Sequence, residues 1–281
     1  MRSVKGKSYS RITLALDIIR KLDTEYHEVN IIKQQINLYD EMTIIESNET
    51  KLECNFDDVP TDENNICLRA LDSIREKFNI KKNVLIQIEK RIPAGAGLAG
   101  GSSNGATTIM LLNQLWNLGM PKEEMINIGY DIGMDVPYFF LGGTVFDTEG
   151  TCKLEELNKL PKMNVLLINP SFHISTREAY QNIDYRNIGK IMAAARMKDC
   201  IKQEKIDETL NNMHNDFENV VFPKYNNLEE IKGFLKENKI QALLSGSGST
   251  VFGITPDNQL AEDTYKMAKE MYPLVILTTT I

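Results

Sequence analysis

At 281 residues, with 42% hydrophobic and 25% charged residues, the chain is long enough for two globular domains and is neither fibrous nor disordered in composition. A net charge of -7 argues against nucleic acid as the main partner, and the basic strip Arg186, Lys190, Arg196, Lys198 reads as a solvated helix face. The cysteines Cys54, Cys67, Cys152 and Cys200 are widely spaced without a C-x-x-C pair, and only His27, His173 and His214 could accompany them, so neither a disulfide framework nor a metal site is expected.

In chain order, the basic N-terminus leads into an alternating strand at Ser10 to Leu16, with Ile12, Leu14 and Leu16 on one face. Asp17 interrupts the apolar stretch Ile12 to Ile19, no small-residue cleavage site follows, and no run approaches about 18 apolar residues. A cytoplasmic protein without membrane association is therefore expected. A mixed segment to Ile36 and a strand at Met42 to Ile45 make the N-terminal region largely sheet. Asn64 or Asn65 can cap a helix with apolar positions Leu68, Leu71, Ile74 and Phe78, and Val84 to Glu89 alternates as a strand.

The central stretch Ile92 to Ile109, I-P-A-G-A-G-L-A-G-G-S-S-N-G-A-T-T-I, follows that strand and enters a helix through Ala106, Ile109, Met110 and Trp116, which Gly119 can end. A glycine loop entering a helix aims backbone N–H groups and the positive end of the helix dipole at one point, which suits a phosphate. Gly95-x-Gly97-x-x-Gly100 formally matches the dinucleotide fingerprint, but no βαβ unit follows. The Walker A pattern fails too, because no Lys follows the last glycines. Alternatively, the loop is a tight turn with Ser102 or Ser103 capping the next helix.

A helix at Pro121 to Ile132 ends near Gly133, and Asp135-Val136-Pro137 follows; its carboxylate either takes a hydroxyl proton during phosphoryl transfer or serves the turn. The texture changes after Thr148-Glu149-Gly150, and a domain boundary is expected near residue 160, dividing the chain into 1–160 and 161–281. Beyond it, Val165 to Ile168 is a buried strand. Helical patterns cover Arg177 to Gln181, Ile188 to Gln203 and Leu228 to Glu237. Then come Ala242 to Leu244, the glycine turn Ser245-Gly246-Ser247-Gly248-Ser249, Thr250 to Ile254, a helix at Gln259 to Met271 and Leu274 to Thr278. Helices followed by β-β-α-β indicate a small α+β domain.

Taken together, the central loop, Asp135-Val136-Pro137 and the Ser245 to Phe252 turn resemble the GHMP kinases, the superfamily of galactose, homoserine, mevalonate and phosphomevalonate kinases. Within it, the chain is most similar to the branch that phosphorylates the 2-hydroxyl of a cytidyl-linked sugar alcohol in non-mevalonate isoprenoid biosynthesis. Arg11-Ile12-Thr13-Leu14, Tyr26-His27-Glu28-Val29, Ser175-Thr176 with Ala179-Tyr180, and Asn215-Asp216-Phe217-Glu218 extend the resemblance along the chain. It implies an α+β, two-domain fold, with a ribosomal-protein-S5-like N-terminal domain and a ferredoxin-like C-terminal domain. It also implies ATP and Mg2+ as cofactors, small-molecule partners, and no nucleic acid or membrane.

By the same resemblance, Pro93, Ala94, Gly95, Ala96, Gly97, Leu98, Ala99, Gly100, Gly101, Ser102 and Ser103, with Asn65, belong to the ATP side. Asp135 and Arg11 are expected to be catalytic. Tyr26 and His27 are expected to receive the cytidine end, with Thr13, Thr176, Gly246 and Ser247 also on the substrate side. The family usually has Lys and Asn where this chain has Arg11 and Thr13, Asp-Gly where it has Thr24-Glu25, Gly at Ala99, and Asp-Ala at Asn104-Gly105. Arg keeps the charge but replaces a compact ammonium with a planar fork, and Asn104 removes a negative charge expected to lie close to the phosphates. These departures leave open a kinase for another alcohol, or a catalytically weak nucleotide-binding relative.

Overall fold

The computed structural model describes residues 1–23, 27–149, 153–184, 188 and 190–281. The chain forms two compact units, neither of them one continuous stretch. The first holds residues 1–10, 38–94 and 99–141, and the second holds 11–37, 95–98 and 142–281. Strands β1 (Ser3–Lys21) and β2 (His27–Ser47) are long enough to contribute residues to both.

The first unit adds β3 (Lys51–Cys54), α1 (Ile66–Phe78), β4 (Asn83–Glu89), α2 (Gly100–Trp116), α3 (Lys122–Ile132) and the short α4 (Tyr138–Leu141). Its strands run in the order β3-β4-β2-β1, with β4 antiparallel to β2 (Ile44 opposite Ile86) and β3 parallel to β4. Val84, Ile86 and Ile88 are buried while Gln87 and Glu89 are exposed, the alternation of a strand with one covered face. Asn65, rather than Asn64, caps α1: its side-chain oxygen accepts the Cys67 N–H, and Cys67, Ala70, Leu71 and Ile74 then fall on the buried stripe. Helix α2 is buried nearly all round. It ends at Asn117 (φ 52) rather than Gly119, because the left-handed Asn117 directs its own N–H back to the carbonyls of Asn113 and Gln114.

The second unit adds β5 (Thr144–Glu149), β6 (Lys153–Glu156), β7 (Asn164–Asn169), α5 (Thr176–Gln181), α6 (Ala193–Lys202) and α7 (Ile206–Asn211). After them come β8 (His214–Asn215), α8 (Glu218–Val221), α9 (Asn226–Glu237), β9 (Gln241–Leu244), β10 (Val251–Thr255), α10 (Asn258–Met271) and β11 (Leu274–Thr279). Here β5 pairs antiparallel with β2, β6 with β5, and β8 runs parallel to β1. A separate antiparallel sheet has the order β11-β7-β10-β9, with Val251 opposite Ile168 on one side and Leu244 on the other. Reading β7, α9, β9, β10, α10, β11 along the chain gives βαββαβ with a 4-1-3-2 strand order, the ferredoxin-like arrangement. Leu166, Ile168, Leu228, Ile231, Leu235, Leu244 and Val251 belong to one buried apolar cluster with Leu16 and Ile18 of β1. Helix α6 starts at Ala193, five residues later than its apolar pattern, because Met192 is left-handed and the Asp17 carboxylate caps the N–H groups of Ala193 and Ala194. Among the described residues no helix is long and apolar enough to cross a membrane.

Candidate active site

The glycine stretch adopts an alternating backbone. Gly95 (φ 60), Gly97 (φ 74) and Ala99 (φ 54) are left-handed, and Ala96 and Leu98 between them are not. Such alternation turns successive N–H groups to one side and makes a concavity for an anion. The carbonyls of residues 95 to 98 are taken up by the second unit. Gly95 O lies 2.9 Å from His173 Nδ1, Ala96 O accepts the Thr250 N–H, and Leu98 O accepts the Arg11 N–H. Gly97 O accepts two donors, Arg11 Nη1 at 2.8 Å and Ser245 Oγ at 2.9 Å. A Cβ on Gly97 would stand 2.1 Å from the Ser245 carbonyl oxygen, which is rigid backbone, so the close approach needs glycine.

In the first unit the same chain continues into α2, whose first turn is Gly100, Gly101 and Ser102. A Cβ on Gly100 would meet the Ile92 side chain at 2.8 Å, whereas Gly101 faces open space. Pro93 is half-buried and Ala94 exposed. The helix end is held from inside: Ser103 Oγ accepts the Ser8 hydroxyl at 2.7 Å, and Asn104 Nδ2 donates to Ser8 Oγ and Asp40 Oδ2. Lys90 Nζ bridges Asp40 at 2.6 Å and Asn104 Oδ1 at 3.2 Å, while Asp40 Oδ1 accepts the N–H groups of Arg91 and Ile92. Asn104 therefore points into a buried network rather than toward a phosphate, and Lys90 already has its counter-charge in Asp40. Asn65 uses both ends of its amide locally, toward Cys67 N and Pro60 O.

Asp135 lies in the turn between α3 and α4, half-buried, where the Val136 N–H closes onto Gly133 O. Val136, Pro137 and Tyr138 behind it are buried, which fixes the turn in the apolar floor of the unit.

In the second unit, Arg11 and Thr13 are buried side by side, with Arg11 Nη1 3.3 Å from Thr13 Oγ1. Gly246 (φ 57) is close by: a Cβ there would lie 3.6 Å from Arg11 Nη1. Thr176 Oγ1 and Ser247 Oγ are 2.8 Å apart. The Ser245 to Gly248 turn is bracketed by Asn215, whose amide donates to Leu244 O and Gly246 O, and by Glu218, which accepts the Leu244 N–H. The sequence pattern marked these two residues without showing that job. His27 stacks on Tyr180 with ring centroids 4.4 Å apart and planes 14° apart, and Phe217 meets Tyr180 edge-on at 4.9 Å. Tyr180 belongs to the stretch that carries the family resemblance, and its stacking with His27 depends on the fold. Burial, followed by the nearby Lys21 charge, pushes the His27 pKa below its ordinary value, so at neutral pH the ring is uncharged and free of a cation's desolvation cost on stacking. Tyr26 lies outside the described residues, as do Thr24, Glu25 and Arg186.

Among the described residues, Asp17, His214 and Asp216 are grouped closely enough to hold a cation. Asp17 accepts the N–H groups of Ala193 and Ala194, Asp216 accepts the Ile18 N–H, and His214 Nε2 lies 2.8 Å from Asp216 Oδ1 within the cluster. The cluster is thus a joint between β1, β8 and α6.

The family models for the "GHMP kinases N terminal domain" and "GHMP kinases C terminal" match residues 65–143 and 177–274. The 4-diphosphocytidyl-2-C-methyl-D-erythritol kinase of Thermoanaerobacter pseudethanolicus is 37% identical, with 100% of this chain and 97% of the relative covered. The Clostridioides difficile enzyme of the same name is 36% identical, covering 97% and 95%. Among solved structures, a 4-(cytidine 5'-diphospho)-2C-methyl-D-erythritol kinase superposes with a TM-score of 0.83 at 22% identity, covering 99% of both chains. The homoserine kinase of Cytophaga hutchinsonii gives 0.77 at 15% identity, covering 100% of this chain and 95% of the other, so the two-domain fold outlasts sequence similarity. The chain belongs to the GHMP kinases, on the branch of the 4-diphosphocytidyl-2-C-methyl-D-erythritol kinases.

Proposed function

We propose that this small-molecule kinase transfers the γ-phosphoryl group of ATP to the 2-hydroxyl of 4-diphosphocytidyl-2-C-methyl-D-erythritol, a step of non-mevalonate isoprenoid biosynthesis in the cytoplasm. The division of labour near residue 160 follows, with the ATP loop before it and the ferredoxin-like domain after it. The observation that carries the proposal is the loop from Gly95 to Ala99, with alternating φ and its carbonyls engaged, so that its N–H groups turn toward an anion. The relatives supply the acceptor.

Phosphoryl transfer asks a protein chiefly for position and charge. The loop and the first turn of α2 hold the phosphate chain through backbone N–H groups and the helix dipole. A magnesium ion arriving with the nucleotide would supply positive charge against the phosphates. The Asp135 carboxylate accepts the proton of the acceptor hydroxyl as the new O–P bond forms and the bond from the γ-phosphorus to the departing ADP oxygen breaks. His27, stacked on Tyr180 and backed by the buried Phe217, offers its outer ring face to the cytosine, and Thr13, Thr176, Gly246 and Ser247 line the acceptor side.

A panel of acceptors tests the assignment. With ATP and magnesium, the cytidyl compound should give ADP and a product phosphorylated at its 2-hydroxyl, while homoserine, mevalonate and galactose give background. Turnover of one of those alcohols with none of the cytidyl compound would sink it.

A further inference from the structure

We infer that Arg11 is a positioning residue for the ATP loop, a clamp on the Gly97 carbonyl, and that Thr13 is its partner in that task. The inference rests on the reading that the loop holds ATP phosphates. It does not depend on which alcohol is the acceptor.

Arg11 is 6% exposed, and its Nη1 donates to Gly97 O at 2.8 Å and to Thr13 Oγ1 at 3.3 Å. Its backbone N–H also donates to Leu98 O. One residue thus holds two successive peptides of the loop. The carbonyl it grips belongs to Gly97, whose φ of 74 is the middle one of the three left-handed positions that aim the N–H groups. Ser245 Oγ shares that carbonyl, and Asn215 in turn fixes the Ser245 turn through Leu244 O and Gly246 O. Two donors on one oxygen set the direction of the Gly97 peptide, and therefore of the N–H on its far side.

A lysine could match the charge but not this geometry. Its ammonium ends a flexible stem, whereas the guanidinium presents fixed N–H vectors in its plane, so the two N–H bonds of Nη1 can serve Gly97 O and Thr13 Oγ1 together. Thr13 suits this place because its short side chain sets a hydroxyl oxygen, an acceptor, against the guanidinium. Arg11 and Thr13 are on this account one coupled adaptation.

The test measures binding of the β,γ-imido analogue of ATP, without acceptor, to wild type, Arg11→Lys, Ser245→Ala and the double variant. Thermal melts check that each variant is folded. Arg11→Lys should weaken analogue binding about tenfold and Ser245→Ala about threefold, as expected for single hydrogen bonds to one carbonyl. The double variant should fall short of the product of the two, because both donors act on the same oxygen. In turnover assays the KM for ATP should rise in both single variants, with the acceptor KM within about twofold of wild type. Unchanged analogue binding in folded Arg11→Lys, with the loss confined to kcat, would overturn the clamp and leave Arg11 as a transition-state charge. Effects that multiply in the double variant would overturn the shared-carbonyl argument. A wild-type protein that fails to bind the analogue would overturn the kinase reading and the clamp together.

Discussion

From Gly95 to Ala99 the chain offers a ligand almost nothing but backbone, whereas around His27 and Tyr180 the available surface is side chain. The first region is specified by φ angles and by absent Cβ atoms: Gly95 and Gly97 are each placed where a Cβ would strike a neighbour at 2.1 Å. The second is specified by ring faces and a half-buried imidazole. A backbone-built site cannot be tuned by small steps, because any side chain added to it collides or strains the chain. A side-chain-built site can be graded residue by residue. The ATP side should therefore fail abruptly under substitution and the acceptor side gradually.

The largest effect is expected at Gly97→Ala. Its Cβ would meet the Ser245 carbonyl at 2.1 Å and the chain would have to hold φ 74 with a side chain, so the Gly97 peptide must move. A shift of about 1 Å in a positioning element costs on the order of 100-fold in rate, and kcat/KM for ATP should fall by at least that much. A loss below about tenfold would break the contrast between the two regions.

Asn104→Asp should come next, as a loss of stability. It would put a second carboxylate beside Asp40 with Lys90 as the paired cation, all three at most 4% exposed. The uncompensated charge should cost roughly 2 kcal/mol, read as a lower denaturant midpoint at unchanged slope. If the variant were instead as stable as wild type with altered magnesium dependence, Asn104 would belong to the phosphate site.

On the acceptor side, Tyr180→Ala removes the ring on which His27 stacks, and should raise the acceptor KM about fivefold while leaving the ATP KM unchanged. Tyr180→Phe should restore most of the loss. A rise in the ATP KM instead would detach the aromatic stack from the acceptor.

The smallest effect is a gain. Ala99 carries φ 54, which costs an L-residue roughly 1–2 kcal/mol, while glycine there costs about 0.5–1 kcal/mol in unfolded-chain entropy. Ala99→Gly should therefore stabilise the protein by about 0.5 kcal/mol, measured by chemical denaturation.

The same contrast explains what the sequence revealed. The glycine loop was legible because Gly95 and Gly97 after a strand, followed by Gly100, Gly101 and Gly105 at the start of a helix, have few other uses, and the Asn65 cap and the β-β-α-β ending followed from local chemistry. Strand β5 is hidden in the sequence because Asp147 breaks its apolar alternation; the fold buries it against Lys33 Nζ at 2.6 Å, a pairing 114 residues apart in sequence. Asn104 invited a phosphate-side reading from its place in the loop, but its direction is set by Ser8 and Asp40, far away in the chain. The His27–Tyr180 stack and the grip of Asn215 on the Ser245 turn are likewise long-range contacts. What depends on backbone conformation can be read locally, and what depends on facing side chains has to wait for the fold.

The central claim, that Asp135 serves a phosphoryl transfer to the cytidyl-linked alcohol, is tested most directly by acceptor-dependent ADP release from wild type and Asp135→Asn. Wild type should release one ADP per acceptor consumed. Asp135→Asn should lose at least 100-fold in kcat while still binding the β,γ-imido analogue of ATP as tightly as wild type. An Asp135→Asn enzyme that turns over within about threefold of wild type would contradict the account.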